Sequence, residues 1–222
     1  SSNNKFIKMI DDGLIVGKSS EENDEYDILY FGRRDLTSVR IPSNIKVIAS
    51  CCFDNCELLE RVEFSPESKL IKTAEGSFRC SKINKITIPK HVKEIGNYAF
   101  CMCENLTTID FSPDSELIKI GDSSFFKSGI VSITIPKNVK EIDQSVFNSC
   151  EKLTTIEFSP KSELRSIGMS AFSSSPIRSI TIPASVTELS NGWCYEIGAE
   201  TEVLISSNNK FIKMIDDGLI VG

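Results

Sequence analysis

A period of 47 residues runs through this chain and dictates how it can fold. The pair Ile-Pro stands at Ile41-Pro42, Ile88-Pro89, Ile135-Pro136 and Ile182-Pro183, and each step is 47 residues. Three further columns keep the step: Phe53, Phe100 and Phe147; Phe64, Phe111 and Phe158; and Cys56, Cys103 and Cys150. A fifth, Phe31, Phe78, Phe125 and Phe172, ends at Leu219. Spacing held this strictly is the mark of a solenoid, in which each coil stacks on the next because it cannot bury its apolar edge alone.

Each unit divides into halves of 23 and 24 residues, Ile83 to Asn105 and Leu106 to Gly129. Both open on a short β-branched strand, KITI or TIDF, then turn at a Pro or Ser-Pro corner. Alternation puts Ile86 and Ile88 on the buried side and Thr87 outside. Pro89 ends its strand because it brings no N–H to a ladder. A second apolar pair follows (Val92 and Ile95; Leu117 and Ile120), and then a segment such as GNYAF, which reads as a short helical turn. The fold class expected is therefore an α/β repeat, a leucine-rich-repeat solenoid of alternating 23- and 24-residue coils. About nine coils at roughly 4.8 Å would make a rod or shallow horseshoe about 45 Å long.

Residues 1–17, SSNNKFIKMIDDGLIVG, recur unchanged as residues 206–222. The offset of 205 is four units plus 17 residues, which places an insert near the start of the chain. FIKMI, the turn Asp11-Asp12-Gly13 and LIVG read as a β-hairpin arm, YDILYF as a further strand, and Glu21–Asp27 as a solvated acidic loop. The organisation expected is one solenoid over 1–222. It has a hairpin-bearing irregular repeat at 1–31, the four 47-residue double repeats within 32–205, and the start of a next superunit at 206–222. The identical ends suit a piece of a longer tandem protein, or a chain designed with overlapping ends. Either way both copies should fold alike, and chains could stack head to tail.

The motif IPKHVKEIGNYAFCMCENL, from Ile88 to Leu106, resembles the BspA-type leucine-rich repeats. The interleaved FSPDSELIKIGDSSF half is similar to versions in large protozoan families, the trichomonad ones in particular. That resemblance implies a non-catalytic surface or secreted protein, one adhering to host cells, matrix or other microbes. A structural fibre or an internal scaffold is the alternative. The last unit departs from the motif: Trp193-Cys194-Tyr195 replaces the small-Phe segment and Ile197 the ladder cysteine.

A net charge of −6 disfavours a nucleic-acid partner. No apolar run reaches the roughly 20 residues of a membrane helix, so membrane insertion of this segment is not expected. The start of the chain has no signal-peptide layout. The partners expected are a protein or glycoprotein, and further copies of the chain. No cofactor, metal or catalytic residue is expected. His91 is the lone histidine and sits at a corner, and the cysteines lack zinc spacing. Cys56, Cys103 and Cys150 read with Phe53, Phe100 and Phe147 as inward structural ladders. Same-column cysteines two coils apart lie beyond disulfide reach, while Cys80 stands where a bridge to a neighbouring coil is conceivable. The Ser-Pro pairs read as turns. Asn105-Leu106-Thr107 is a glycosylation sequon if the chain is secreted. The binding candidate is the outward strand position, Arg40, Glu63, Thr87, Asp110, Thr134, Glu157 and Thr181. It forms a stripe in which threonine alternates with acid along the expected concave face. Acids two coils apart, about 10 Å, sit too far apart for a glycosidase pair. Trp193 and Tyr195 read either as a core adjustment or as an exposed contact.

Overall fold

A computed structural model describes residues 5–10, 13–198, 200–214 and 220–221. Its strands, in chain order, are β1 (Ile7–Ile10), β2 (Leu14–Gly17), β3 (Ile28–Gly32), β4 (Ser38–Ile41), β5 (Val47–Ile48), β6 (Arg61–Phe64), β7 (Lys72–Thr73), β8 (Lys85–Ile88), β9 (Glu94–Ile95) and β10 (Thr108–Phe111). They continue with β11 (Lys119–Ile120), β12 (Ser132–Ile135), β13 (Glu141–Ile142), β14 (Thr155–Phe158), β15 (Ser166–Ile167), β16 (Ser179–Ile182), β17 (Glu188–Leu189), β18 (Glu202–Ile205), β19 (Lys213–Met214) and β20 (Ile220–Val221). The even strands from β4 to β18 form one parallel eight-stranded sheet. The odd strands from β5 to β17 continue β1, β2 and β3 into a ten-stranded sheet. Successive long strands start 23 and 24 residues apart in alternation, as the halves of the repeat require. Eight long strands make eight coils rather than nine, and about 34 Å of stack at roughly 4.8 Å per step.

The third side of each coil departs from the α/β expectation: no helix occurs among the described residues. In the segment that follows each short strand the N–H groups split two ways. Cys51, Phe53 and Asn55 donate to the carbonyls of Glu75, Ser77 and Arg79 in the next coil, while Cys52, Asp54 and Cys56 donate within their own turn. A helix would spend every N–H on its own i−4 carbonyl and leave none for the neighbouring coil. The geometry needs two left-handed residues four apart in each coil, such as Cys51 and Asn55 (φ 55 and 54°) or Tyr98 and Met102 (φ 56 and 57°). Each costs about 1–2 kcal/mol in backbone strain, and cross-coil hydrogen bonds repeated at every step hold it in place.

The core lies between the sheets and these turns. Phe53, Phe78, Phe100, Phe125, Phe147 and Phe172 are fully buried, their rings stacked at 5.2–5.6 Å between centroids with planes within 7°. Two of the sequence columns thus merge into one ladder. Phe31 does not belong to it. That ring is partly exposed on β3 beneath the Arg34 guanidinium, because the insert breaks the register ahead of the first coil. Gly32 covers the first rung instead, so closely that a Cβ there would fall 2.0 Å from the Phe53 ring.

Residues 5–10 and 13–32 extend the ten-stranded sheet. β1 pairs antiparallel with β2, β2 with β3, and β3 joins β5 in parallel. Leu14, Val16 and Leu29 are buried, which ties the insert to the core. Asp11 and Asp12 of the expected turn lie outside the described residues. Asp27 is not solvated as a member of an acidic loop would be. It is buried, and its carboxylate accepts from the N–H and Oγ of Ser19 and from Lys46 Nζ. Burial alone would raise its pKa, but the Ser19 hydrogen bonds and Lys46 outweigh that and hold it below the ordinary 3.8. A lowered carboxyl stabilises the fold above its unfolded pKa and stops doing so as pH falls through its folded one. Hydrogen exchange should therefore show Val47 and Ala49, whose N–H groups bond to Asp27 and Leu29, losing protection as pH drops below about 4. Asp27→Asn should flatten that dependence, and an unchanged slope would remove Asp27 as its source.

Candidate interaction face

The binding candidates all lie on the eight-stranded sheet at one register position. Arg40 is opposite Glu63, Thr87 opposite Asp110, Thr134 opposite Glu157, and Thr181 opposite Leu204. Their neighbours on the other face of the strands, Val39, Ile86, Ile109 and Ile133 among them, are buried. Charge is not spread evenly along the stripe. Arg40 and Arg61 both reach Glu63 (3.2 and 3.6 Å), and Lys85 reaches Asp110 at 2.9 Å. Glu157 enters no ion pair among the described residues.

The sheet is not uniform either. Within each pair β4/β6, β8/β10, β12/β14 and β16/β18, four residues pair in register. Between pairs only one does: Arg61 with Lys85, Thr108 with Ser132, and Thr155 with Ser179. The cause is the corner residue. At three of the four closed interfaces Ser112, Ser159 and Ser206 donate their N–H to the carbonyls of Ile88, Ile135 and Ile182. At the open ones the equivalent residue is Pro89, Pro136 or Pro183, which has no N–H to give. The strands splay there, and a cleft opens at each place, of about 610, 650 and 890 Å³ in chain order. Phe64, Phe111 and Phe158 form one wall, half-buried where the corresponding isoleucines are fully covered. Serine hydroxyls of the Ser-Pro corners and the stripe acids ring each mouth. The third cleft holds the unpaired Glu157.

These repeated strand–corner–turn coils decide the family, because the model for the BspA-type leucine-rich repeat region matches them in six copies over residues 27–154 and 72–198. The chain belongs to the BspA-type leucine-rich-repeat family. Solved structures share the fold. The pneumococcal vaccine antigen PcpA superposes with a TM-score of 0.70 at 20% identity, over 97% of this chain and 53% of that one. A leucine-rich repeat protein from Eubacterium ventriosum gives 0.71 at 20%, over 98% and 55%. A leucine rich cell surface protein from Faecalibacterium prausnitzii gives 0.55 at 17%, over 99% and 57%. The BspA-type chain spans little more than half the length of these neighbours. No curated protein sequence matches it.

The remaining candidates fall into place within the BspA-type coil. Cys56, Cys103 and Cys150 are fully buried, and the column they begin is continuous. Ser81, Ser128 and Ser175 fill its alternate rungs, with Ser81 and Ser128 bonding the thiols of Cys103 and Cys150 at 3.4 Å. Those thiols donate to the carbonyls of Phe78 and Phe125. Cys80 is not in the column, and all eight cysteines are free. Burial pushes the pKa of Cys103 up to about 12 and of Cys150 to about 11. An aromatic disulfide reagent at pH 8 should therefore titrate exposed Cys51 first and leave Cys103 and Cys150 silent until denaturant is added. Labelling of either at the Cys51 rate would turn the column outward.

His91 lies on the rim of the first cleft with Nδ1 3.0 Å from Glu116 Oε1. Asn105 of the sequon is exposed on a turn. Trp193 is core and Tyr195 is 65% exposed, so the core reading fits one ring and the exposed reading the other. No group of three His, Cys, Asp or Glu suited to a metal occurs among the described residues. No helix long and apolar enough to cross a membrane occurs among them.

Proposed function

We propose that this chain is a non-catalytic protein-interaction module of a surface-displayed or secreted protein, and that it serves adhesion to host cells, matrix or other microbes. The reading is carried by the three equivalent clefts, which offer an aromatic wall, hydroxyls and an acid at every second coil on one continuous face. The BspA-type coils and the surface neighbour from Faecalibacterium add support. The partner-binding stripe runs through Arg40, Glu63, Thr87, Asp110, Thr134, Glu157 and Thr181, and its working end is the third cleft. There Glu157 is not already neutralised, so a basic group on a protein or glycoprotein partner gains most by binding.

The test is a panel of matrix proteins and host glycoproteins probed with the wild-type chain, Glu157→Lys and Asp110→Asn. Glu157→Lys should weaken capture at least about tenfold, while Asp110→Asn should change it little. Equal capture by wild type and Glu157→Lys would remove the stripe. Surface labelling of intact source cells that protease shaving abolishes is the outcome expected for localisation. Labelling only after permeabilisation would refute the surface role.

A second reading, a structural array assembled head to tail, is favoured by one observation. The two copies of the 17-residue segment carry the same antiparallel register, Lys8 with Val16 and Met9 with Ile15, then Lys213 with Val221 and Met214 with Ile220.

A further inference from the structure

Two residues past each ladder phenylalanine, on the third side of the coils, comes a left-handed site. Along the stack Asn55, Cys80, Met102, Lys127, Ser149 and Ser174 hold it. At two neighbouring rungs the side chains end in or carry sulfur: Cys80 Sγ lies 4.0 Å from Met102 Sδ. Met102 is 42% exposed and Cys80 is half-buried, so solvent reaches the pair. A second thiol stands beside them. Cys101 precedes Met102, and its carbonyl accepts the Cys80 N–H at 2.9 Å. Burial, and after it the neighbouring Cys80, pushes the pKa of Cys101 up to about 11. Burial raises Cys80 as well, and Arg79 acts on both thiols in the opposite direction.

We propose that Cys80, Cys101 and Met102 form a binding site for a soft monovalent metal ion, Cu(I). Two sulfurs bound to one metal at about 2.3 Å each stand about 4 Å apart when the bonds open near 120°. Cys80 and Met102 therefore already span one edge of a trigonal site, and Cys101 supplies the third corner. Thiolate and thioether sulfur select Cu(I), whereas a structural zinc site closes with four ligands drawn from Cys, His and carboxylates. Such ligands do not gather even in threes among the described residues, and a thioether escapes that count. Binding breaks two S–H bonds, makes three S–Cu bonds and sends two protons to solvent, and the copper stays Cu(I) throughout. The bound site carries one net negative charge. Arg79, Lys82 and Lys127 around the thiols favour that charge, against Asp54 and Glu104. The backbone needs no rearrangement. Cross-coil bonds from Cys80 N–H to Cys101 and from Met102 N–H to Phe126 (2.7 Å) fix both left-handed residues, so the sulfurs are placed before the ion arrives.

The test is titration of Cu(I), without oxygen, into the full reduced chain against a chromophoric Cu(I) chelator. Wild type is compared with Cys80→Ser, Met102→Ser and Cys51→Ser. Serine already occupies the equivalent left-handed site at Ser149 and Ser174, so the first two variants keep the coil. One ion per chain should withstand the chelator. Cys80→Ser should weaken uptake at least about a hundredfold and Met102→Ser about tenfold, since losing a group that merely supports a metal ligand already costs about 10–100-fold. Cys51→Ser should leave uptake unchanged. A second measurement needs no variant: bound Cu(I) should slow alkylation of Cys80, read by mass spectrometry, and not that of exposed Cys51. No uptake, uptake that falls only with Cys51→Ser, or equal uptake by all three variants would overturn the site. Displacement of the Cu(I) by an equal concentration of Zn(II) would overturn its preference for a soft ion.

Discussion

Replacing Phe100 by alanine should lower unfolding free energy by about 3–5 kcal/mol, as for other large-to-small changes in a fixed core. The ring is fully buried between Phe78 and Phe125, at 5.2 and 5.4 Å. The void cannot collapse readily, because cross-coil hydrogen bonds fix the backbone on either side of it, Phe78 to Ala99 and Phe100 to Ser124. Two aromatic stacks disappear with it, each worth about 0.5–1.5 kcal/mol beyond burial. In a stack of coils the damage is also positional. A weakened central interface should uncouple the two ends, so urea unfolding should broaden or split and exchange should be fastest in the coils beside residue 100. A cost below about 0.5 kcal/mol, typical of surface sites, would show that the ladder is not the core. Phe111→Ala makes the contrast. This ring walls a cleft and is half-buried, so its removal should cost less stability and more partner affinity.

Trp193→Ala should be about as damaging, again about 3–5 kcal/mol, for a reason that also supplies its own rescue. The backbone of the last coil keeps register: Phe172 N–H donates to Trp193 O at 3.0 Å, just as Phe147 N–H donates to Ala171 O at 2.8 Å. Cys194 therefore holds the rung where every earlier coil has phenylalanine, and Trp193 holds the preceding site, elsewhere the small or medium Ser77, Ala99, Ser124, Val146 and Ala171. Large and small have exchanged places. The indole fills the rung from next door, meeting Phe172 edge-on at 6.1 Å and 89°. Adding Cys194→Phe to Trp193→Ala should restore most of the stability, measured by urea denaturation, because it rebuilds the ordinary pair. A double variant no better than Trp193→Ala would mean that the last coil has its own geometry.

Much of this was legible in the residues. The 47-residue step gave the strand columns, the buried isoleucines and the inward cysteines, because each depends only on alternation and stacking. The α/β label failed at GNYAF and its equivalents, since a small residue followed by Phe suits a helix or a turn equally. The usable signal was the pair of sites four apart that recurs with residues such as Asn55, Gly76, Ser145 and Ser149, tolerant of left-handed backbone. Phe31 leaves its column because an insert ahead of the first coil shifts the register. Ser81, Ser128 and Ser175 do not show at 47-residue steps from the cysteines, because those steps skip every other coil. The clefts were implicit in the alternation of Ile-Pro with Phe-Ser-Pro, for one corner can close a ladder and the other cannot. Glu157 stands apart from the other stripe acids. Its isolation follows the columns, for Ser132 stands where Lys85 does, Thr134 where Arg40 does and Thr155 where Arg61 does.

The alternation of closed and open strand interfaces also bears on how such a gene can lengthen or shorten. Loss of residues 85–131 would bring β12 beside β6 with a proline corner against a Ser-Pro corner, as β8 is now, and the cysteine–serine alternation would run on from Ser81 to Cys150. Loss of the single coil 85–107 would instead set two phenylalanine corners together and Ser81 against Ser128. Recombination is thus tolerated at the doublet and penalised at the coil. Lineages carrying this repeat should differ in length by whole 47-residue steps.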